Sequence, residues 1–169
     1  MLRIGLLSDT HHFLDSAIFR HFESCDEIWH AGDFGTDAIA RQLAEFRPLR
    51  GVYGNIDGQD IRALYPEKLR WQSEGIGVFM THIGGYPPRY TPAVRGELEA
   101  KPPQLFICGH SHILKIIYDE KLKCLHMNPG AAGRQGWHSI RTAIRFVIDG
   151  KDMRDCEVIE LGSRGGVDR

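Results

Sequence analysis

Seven side chains stand out by type and by place: Asp9, His11, Asp33, Asn55, His82, His110 and His112. Carboxylate oxygen, amide oxygen and imidazole nitrogen together make a donor set for a hard-to-borderline divalent cation. Seven donors are too many for one ion. Two ions sharing a bridging carboxylate, at about four ligands each, would use them all, and that is the arrangement of two-metal phosphoester chemistry. In Asp9-Thr10-His11 and His110-Ser111-His112, extended backbone would place residues two apart on the same side. Glycines precede Asp33, Asn55 and His110 and would permit the tight turns such a cluster needs. Singly, a Gly-Asp or Gly-Asn is an ordinary turn, and a histidine is an ordinary packed or surface residue. Order separates these from the ordinary case, because each follows a short apolar run.

Those runs are Leu2–Leu7, Glu27–His30, residues 52–53, Ile76–Thr81 and residues 105–108, and they read as strands. Helical segments lie between them. Asp15 can cap one that carries Ile18, Phe19 and Phe22, and Thr36 another that carries Ile39, Leu43 and Phe46 and is closed by Pro48. Thr91-Pro92 opens a third, stopped by Pro102-Pro103. Alternating strands and helices imply βαβ units, and the carboxyl ends of such strands line one crevice, so the seven residues converge. After His112 the helical signals stop. Segments 113–118 and 122–127 flank a polar turn, and residues 139–149 alternate. There Ile140, Thr142, Ile144, Phe146 and Ile148 share one face, and Arg141, Ala143, Arg145 and Val147 the other. Asp149-Gly150 then turns the chain into a last strand through Ile159 and Leu161, and residues 162–169 read as a frayed end. The expected fold is α/β, a four-layer α/β/β/α sandwich of two mixed sheets packed face to face with helices outside.

At 169 residues, 42% hydrophobic and 25% charged, the chain reads as one domain, residues 1–169. With 21 basic and 22 acidic residues the net charge is -1, so no global positive field gathers nucleic acid, and stable binding to it is not expected. No apolar run approaches the roughly 20 residues of a membrane span, and Ile4 to Leu7 gives way at once to Ser8, Asp9 and two histidines, unlike a signal peptide. Cys25, Cys108, Cys124 and Cys156 show no paired short spacing, which fits core or strand thiols in a reducing cytoplasm.

The ordered set Asp-x-His, Gly-Asp, Gly-Asn, a later His and Gly-His-x-His resembles the calcineurin-like metallophosphoesterase superfamily. More closely, it is similar to the small bacterial and archaeal phosphodiesterase branch that includes the retromer subunit vacuolar sorting protein 29. The likeness runs from Asp9 through Asn128-Pro129-Gly130 into the terminal strands. It implies one metal on Asp9, His11, Asp33 and His112 and a second on Asp33, Asn55, His82 and His110, with Asp33 as the bridge. It also implies manganese in practice, with iron, nickel, zinc or cobalt as substitutes. Two departures matter. Many members carry a histidine directly after the asparagine, where this chain reads Asn55-Ile56-Asp57. Another histidine often follows the metal ligand two residues on, where this chain has His82-Ile83-Gly84. Both usual proton donors are missing, and the general acid is unassigned.

The resulting expectation is hydrolysis of small phosphodiesters by a hydroxide held between the two ions, with Asn55 and Asp33 as the catalytic residues. A monoester dianion would call for extra cationic clamps, and no Arg or Lys lies inside the motifs. His12, Tyr86, Arg89, Arg134 and His138 are candidates for substrate contact from two loops rich in glycine, one of them also in proline. The alternative is a protein-binding scaffold of the same fold with a vestigial or regulatory metal site, against which a full ligand set argues. A structure-selective nuclease would need a basic track or an added domain, and neither is evident. A homo-oligomer is compatible with the sequence without being specified by it.

Overall fold

Short apolar runs become the strands that carry the site. In the computed structural model, which describes residues 1–165, β1 (Leu2–Leu7) runs parallel to β2 (Glu27–His30), and β2 runs parallel to β3 (Leu49–Gly51). On its other side β1 is antiparallel to β11 (Ile140–Asp149), which pairs with β12 (Asp152–Ser163), giving the order β12-β11-β1-β2-β3. A second sheet contains β4 (Lys68–Ser73), β5 (Ile76–Thr81), β8 (Leu105–Ile107), β10 (Cys124–Pro129) and β9 (Leu114–Asp119), in that order. Between β5 and β8 the pair β6 (Gly85–Tyr86) and β7 (Arg89–Tyr90) forms a separate hairpin.

Each sheet is mixed, and the two share one apolar core. Ile4, Leu6, Trp29, Ile144, Phe146 and Ile148 from the first meet Val78, Met80, Leu105, Ile107 and Met127 from the second. Trp29 stands edge-on to Trp71 at 4.9 Å and to Phe146 at 5.7 Å, geometry that aromatic rings favour. On the outside, α1 (Ala17–His21) and α2 (Asp37–Phe46) place Ile18, Ile39 and Leu43 in a cluster with Ile28 and Leu7. Across the molecule α4 (Pro92–Ala100) sets Val94 and Leu98 against Phe79 and Phe106. Burial of such side chains gives roughly 1.5–3 kcal/mol apiece, enough to fix the sheets and hence the chain ends they present. The four layers are those the patterning predicts. In β11 both faces are covered: Ile144, Phe146 and Ile148 look between the sheets, while Ala143 joins the cluster under the helices.

Several local expectations are corrected. The third strand covers Leu49–Gly51 rather than residues 52–53, although Val52 N–H still donates to the His30 carbonyl at 3.2 Å. The cap at Asp15 holds: Ser16, directly before α1, already has helical backbone and makes no side-chain cap bond, while Asp15 accepts from Ala17 N–H at 2.9 Å and pairs with buried Arg141 at 2.7 Å. Strand β4, the hairpin β6-β7 and the four-residue α3 (Gln59–Arg62) have no counterpart in the sequence reading. Residues 162 and 163 belong to β12 and Arg164 N–H donates to the Ser139 carbonyl at 2.9 Å, so the chain is held further than a frayed end would be; residues 166–169 lie outside the described residues. Cys25, Cys108 and Cys124 are buried thiols, and Cys156 sits exposed in β12. Among the described residues no helix is long and apolar enough to cross a membrane.

Candidate metal centre

The ladders do not stop where the strands end. Asp9 N–H donates to the Gly32 carbonyl at 2.9 Å, His11 N–H to Asp33 at 3.0 Å and His12 N–H to Phe34 at 3.2 Å, so the loop after β1 is stitched to the loop after β2. Gly109 N–H reaches the His82 carbonyl at 2.9 Å, and Gly133 N–H reaches Asp9 at 3.0 Å. In this way the carboxyl ends of strands from both sheets become one fixed rim.

Within that rim the side chains gather in two groups. Donor atoms of Asp9, His11 and His112 lie within 4.8 Å of one another, as do those of Asp33, His82 and His110. His112 Nε2 is 3.0 Å from Asp9 Oδ1, and His110 Nδ1 is 3.0 Å from Asn55 Oδ1. Asp33 stands between the groups: its Oδ2 faces His11 Nε2 at 3.2 Å and His82 Nε2 at 3.1 Å. All seven predicted donors therefore lie together, Asn55 beside His110 and Asp33 between the two groups.

The backbone reason is not the one that spacing suggests. Asp9, His11, Asp33, His110 and His112 all have left-handed backbone, with φ from 45° to 69°. They turn into the site one by one instead of projecting from extended chain. Non-glycine residues adopt this region at about 1–3 kcal/mol each, and Asp and His are among the few that favour it. Two of the glycines serve close approach, not a turn. A Cβ on Gly54 would lie 2.1 Å from Asp33 Oδ1, and one on Gly109 would lie 2.2 Å from Ser8 Oγ.

Electrostatics fit a cation. Burial pushes the Asp9 carboxyl up, but His11 and His112 outweigh it and hold the group well below the usual carboxylate range. Asp33 is lowered likewise, burial being overcome by His11 and His82. In return Asp33 and Asp9 raise His11 to about 9, and against the effect of burial they raise His82. The buried carboxylates thus carry a standing demand for positive charge, which divalent ions would meet with the imidazoles neutral. His82 shows the fit most directly. Its Nδ1–H donates to the Ala31 carbonyl at 2.7 Å, which leaves the Nε2 lone pair facing Asp33 Oδ2. Two electron-rich atoms in contact need something positive between them. The Nε2 atoms of His11 and His82 are buried without a hydrogen-bond partner, as metal-ligating nitrogens would be.

Four residues that hold this geometry escaped the sequence reading. Ser8 Oγ–H donates to Asp9 Oδ2 at 2.5 Å. Asp57, buried, accepts the backbone N–H groups of Asp33, Phe34, Gly35 and Gly54 at 3.0, 3.3, 2.9 and 2.8 Å, tying the loop after β2 to the one after β3. Asn128 donates to the Gly109 carbonyl at 3.0 Å and to Ser111 Oγ at 3.1 Å. His30, wholly buried and lowered to about 3 by that burial, accepts from Gly32 N–H at 3.1 Å through Nδ1 and lies 3.1 Å from Thr10 Oγ1 through Nε2. Of these only Ser8, directly after β1, carried the signal of a polar residue just beyond an apolar strand; His30 and Asn128 lie inside β2 and β10, and Asp57 lies in the loop after β3.

The five substrate-contact candidates are dispersed. His138 is at the centre, its ring edge-on to His112 at 5.2 Å and its Nε2–H donating to the Gly133 carbonyl at 2.8 Å. Exposed His12 follows His11. Arg134 sits over the Phe13 ring at 3.9 Å. Tyr86 and Arg89 face each other across the β6-β7 hairpin, and the Tyr86 ring carries Lys115 Nζ at 3.7 Å. A cavity of about 620 Å³ opens beside Asn55 and His82.

Known proteins agree with this architecture. A "Probable metallophosphoesterase" of Methanothermobacter thermautotrophicus is 28% identical over 167 residues, covering 95% of this chain and 93% of the relative. An archaeal phosphodiesterase of known structure superposes with a TM-score of 0.75 at 21% identity, over 95% of this chain and 100% of that one. Vps29 of Chaetomium thermophilum gives 0.75 at 12% identity, over 95% and 97%. At such identities the structures speak for the fold alone. The family model described as "Calcineurin-like phosphoesterase superfamily domain" matches residues 2–151, and the chain belongs to that superfamily.

Proposed function

We propose that this protein hydrolyses phosphodiesters at a centre for two divalent cations, with manganese as the working metal and iron, nickel, zinc or cobalt as substitutes. One observation carries the reading: Asp33 Oδ2 lies 3.2 Å from a histidine of one group and 3.1 Å from a histidine of the other, as a shared carboxylate would. Asp9, His11, Asp33 and His112 would hold one ion, and Asp33, Asn55, His82 and His110 the other. Such ions, when bound, neutralise phosphoryl oxygens and lower the pKa of water from 15.7 to about 7.

The chain's own part is positioning. Asp57 and Ser8 fix the two carboxylates through the backbone and through Asp9 Oδ2, while Asn55 and His110, both exposed, form the edge that an ester reaches first. Ile56 occupies the place after Asn55, so no imidazole there protonates a leaving group, and esters whose leaving group departs as an anion are favoured. Diesters are preferred to monoesters because cations nearby are already engaged: Arg62 donates to the Asp57 carbonyl at 2.7 Å and Lys68 pairs with Glu97. The same reading treats residues 1–169 as one functional domain and, from its buried unpaired thiols, as a cytoplasmic protein.

Manganese titrated into metal-stripped protein is expected to bind at two equivalents per chain and to start hydrolysis of bis(p-nitrophenyl) phosphate, with p-nitrophenyl phosphate cleaved more slowly. Two equivalents bound with no turnover of any phosphoester would favour the scaffold alternative that the Vps29 likeness suggests. A single equivalent would refute the shared carboxylate.

A further inference from the structure

We infer that the cavity beside Asn55 and His82 is a subsite for a flat aromatic arm of the phosphodiester, such as a nucleobase-bearing group. The inference rests on the phosphodiesterase reading and adds to it what the second arm is. At about 620 Å³ the cavity falls in the range of pockets that enclose small organic molecules, and it begins at the site, since Asn55 and His82 are among its walls. A phosphoryl group at those residues would leave one ester arm pointing into a space that is already formed.

The lining identifies the arm. Tyr53 contributes an aromatic ring with the Arg62 guanidinium 4.5 Å from its centroid, and that planar pair is a surface on which another ring stacks. Ile83 and the first turn of α4, Pro92 to Val94, add apolar surface. Charge does not select a second anion. Arg62 and Lys68 are offset by Glu67, also in the lining, and by Glu97, which pairs with Lys68. Asp57 further occupies Arg62 by accepting Nε–H at its carbonyl, 2.7 Å away. A neutral ring therefore gains both stacking and burial here, whereas a short alkyl arm leaves the space to water.

Two manganese-dependent substrates with one leaving group test this: thymidine 5′-(p-nitrophenyl) phosphate and methyl p-nitrophenyl phosphate. The thymidine ester is expected to show a kcat/KM at least about tenfold higher. In Ala93→Trp, where an exposed position in the first turn of α4 takes a large ring into the space, that ratio is expected to fall close to one. Thymidine 5′-phosphate binding, followed by calorimetry on the manganese-loaded protein, is expected to be lost in the same variant while melting temperature and metal content stay unchanged. Equal kcat/KM for the two esters, or an unaltered ratio in Ala93→Trp, would overturn the subsite. Failure to cleave either ester overturns the phosphodiesterase reading instead. The calorimetry then decides the cavity alone: tight thymidine 5′-phosphate binding abolished by Ala93→Trp upholds it, and binding no tighter than that of methyl phosphate refutes it.

Discussion

Asp9, His11 and His112 are sunk into the rim, whereas the group around Asp33 begins in the interior with His82 and ends at the surface with His110 and Asn55. Asp9 is wholly enclosed and takes hydrogen bonds from Ser8 and from His110 N–H, so the first group has little freedom once the sheets are assembled. The second combines a rigid half, His82 locked on the Ala31 carbonyl, with an open half beside the cavity. One group is enclosed, and the other is half enclosed and half open to solvent. The difference follows from the fold: Asp9 and His11 hang on central strand β1, His110 and His112 share the loop after β8, and Asn55 reaches out through the loop after β3, at the edge of its sheet.

The contrast can be broken most severely at the residue both groups share. Asp33→Asn is expected to lower kcat/KM by about a thousandfold and to remove binding at both metal positions, with circular dichroism unchanged; loss of one ion only would show that Asp33 is not shared. Asp57→Ala comes next. It leaves three buried N–H groups and one half-buried one without their acceptor and is expected to cost about 4 kcal/mol in urea unfolding, which corresponds to a melting temperature lower by about 12 °C. His110→Ala should sharpen the comparison by weakening one manganese site about a hundredfold in calorimetry while sparing the other. Equal weakening of both would mean that the two groups are not separable.

The smallest effect separates stability from the site. His126, in β10, is pushed down to about 4 by burial, so the folded protein keeps it neutral where the unfolded chain protonates it. Stability is thus fully present above the ordinary histidine pKa of about 6.5 and falls as pH drops from there toward 4. Between pH 7 and 5 the share of that loss due to His126 amounts to roughly 2 kcal/mol, read as a shift in urea midpoint between the wild type and a variant without it. His126→Leu is expected to reduce that slope by its own share, with buried His30 keeping a comparable one, without altering the metal stoichiometry.

The seven donors were legible because most of them stand just past a short apolar run, and a run such as Ile76–Thr81 has few other readings. Strand β4 was not. Lys68, Leu69, Arg70, Trp71 and Gln72 alternate, with Leu69 and Trp71 packed on the core, but half-exposed edge strands lack the uninterrupted apolar signal. Asp57 was invisible as an organiser, since its value comes from four N–H groups of which three lie more than twenty positions away in the sequence. The pairing of residues two apart was foreseen for the wrong reason: convergence at 9–11 and 110–112 comes from left-handed turns, which no count of spacing reveals.

Those turns restrict how the centre could be re-engineered. A donor replaced at position 9, 11, 33, 110 or 112 must suit both the cation and a positive φ, so asparagine and aspartate are admissible newcomers, whereas a β-branched side chain would pull its loop out of register before chemistry is ever tested. Libraries aimed at a different metal would do better to vary positions 55 and 82, where the backbone is not left-handed and imposes no such filter.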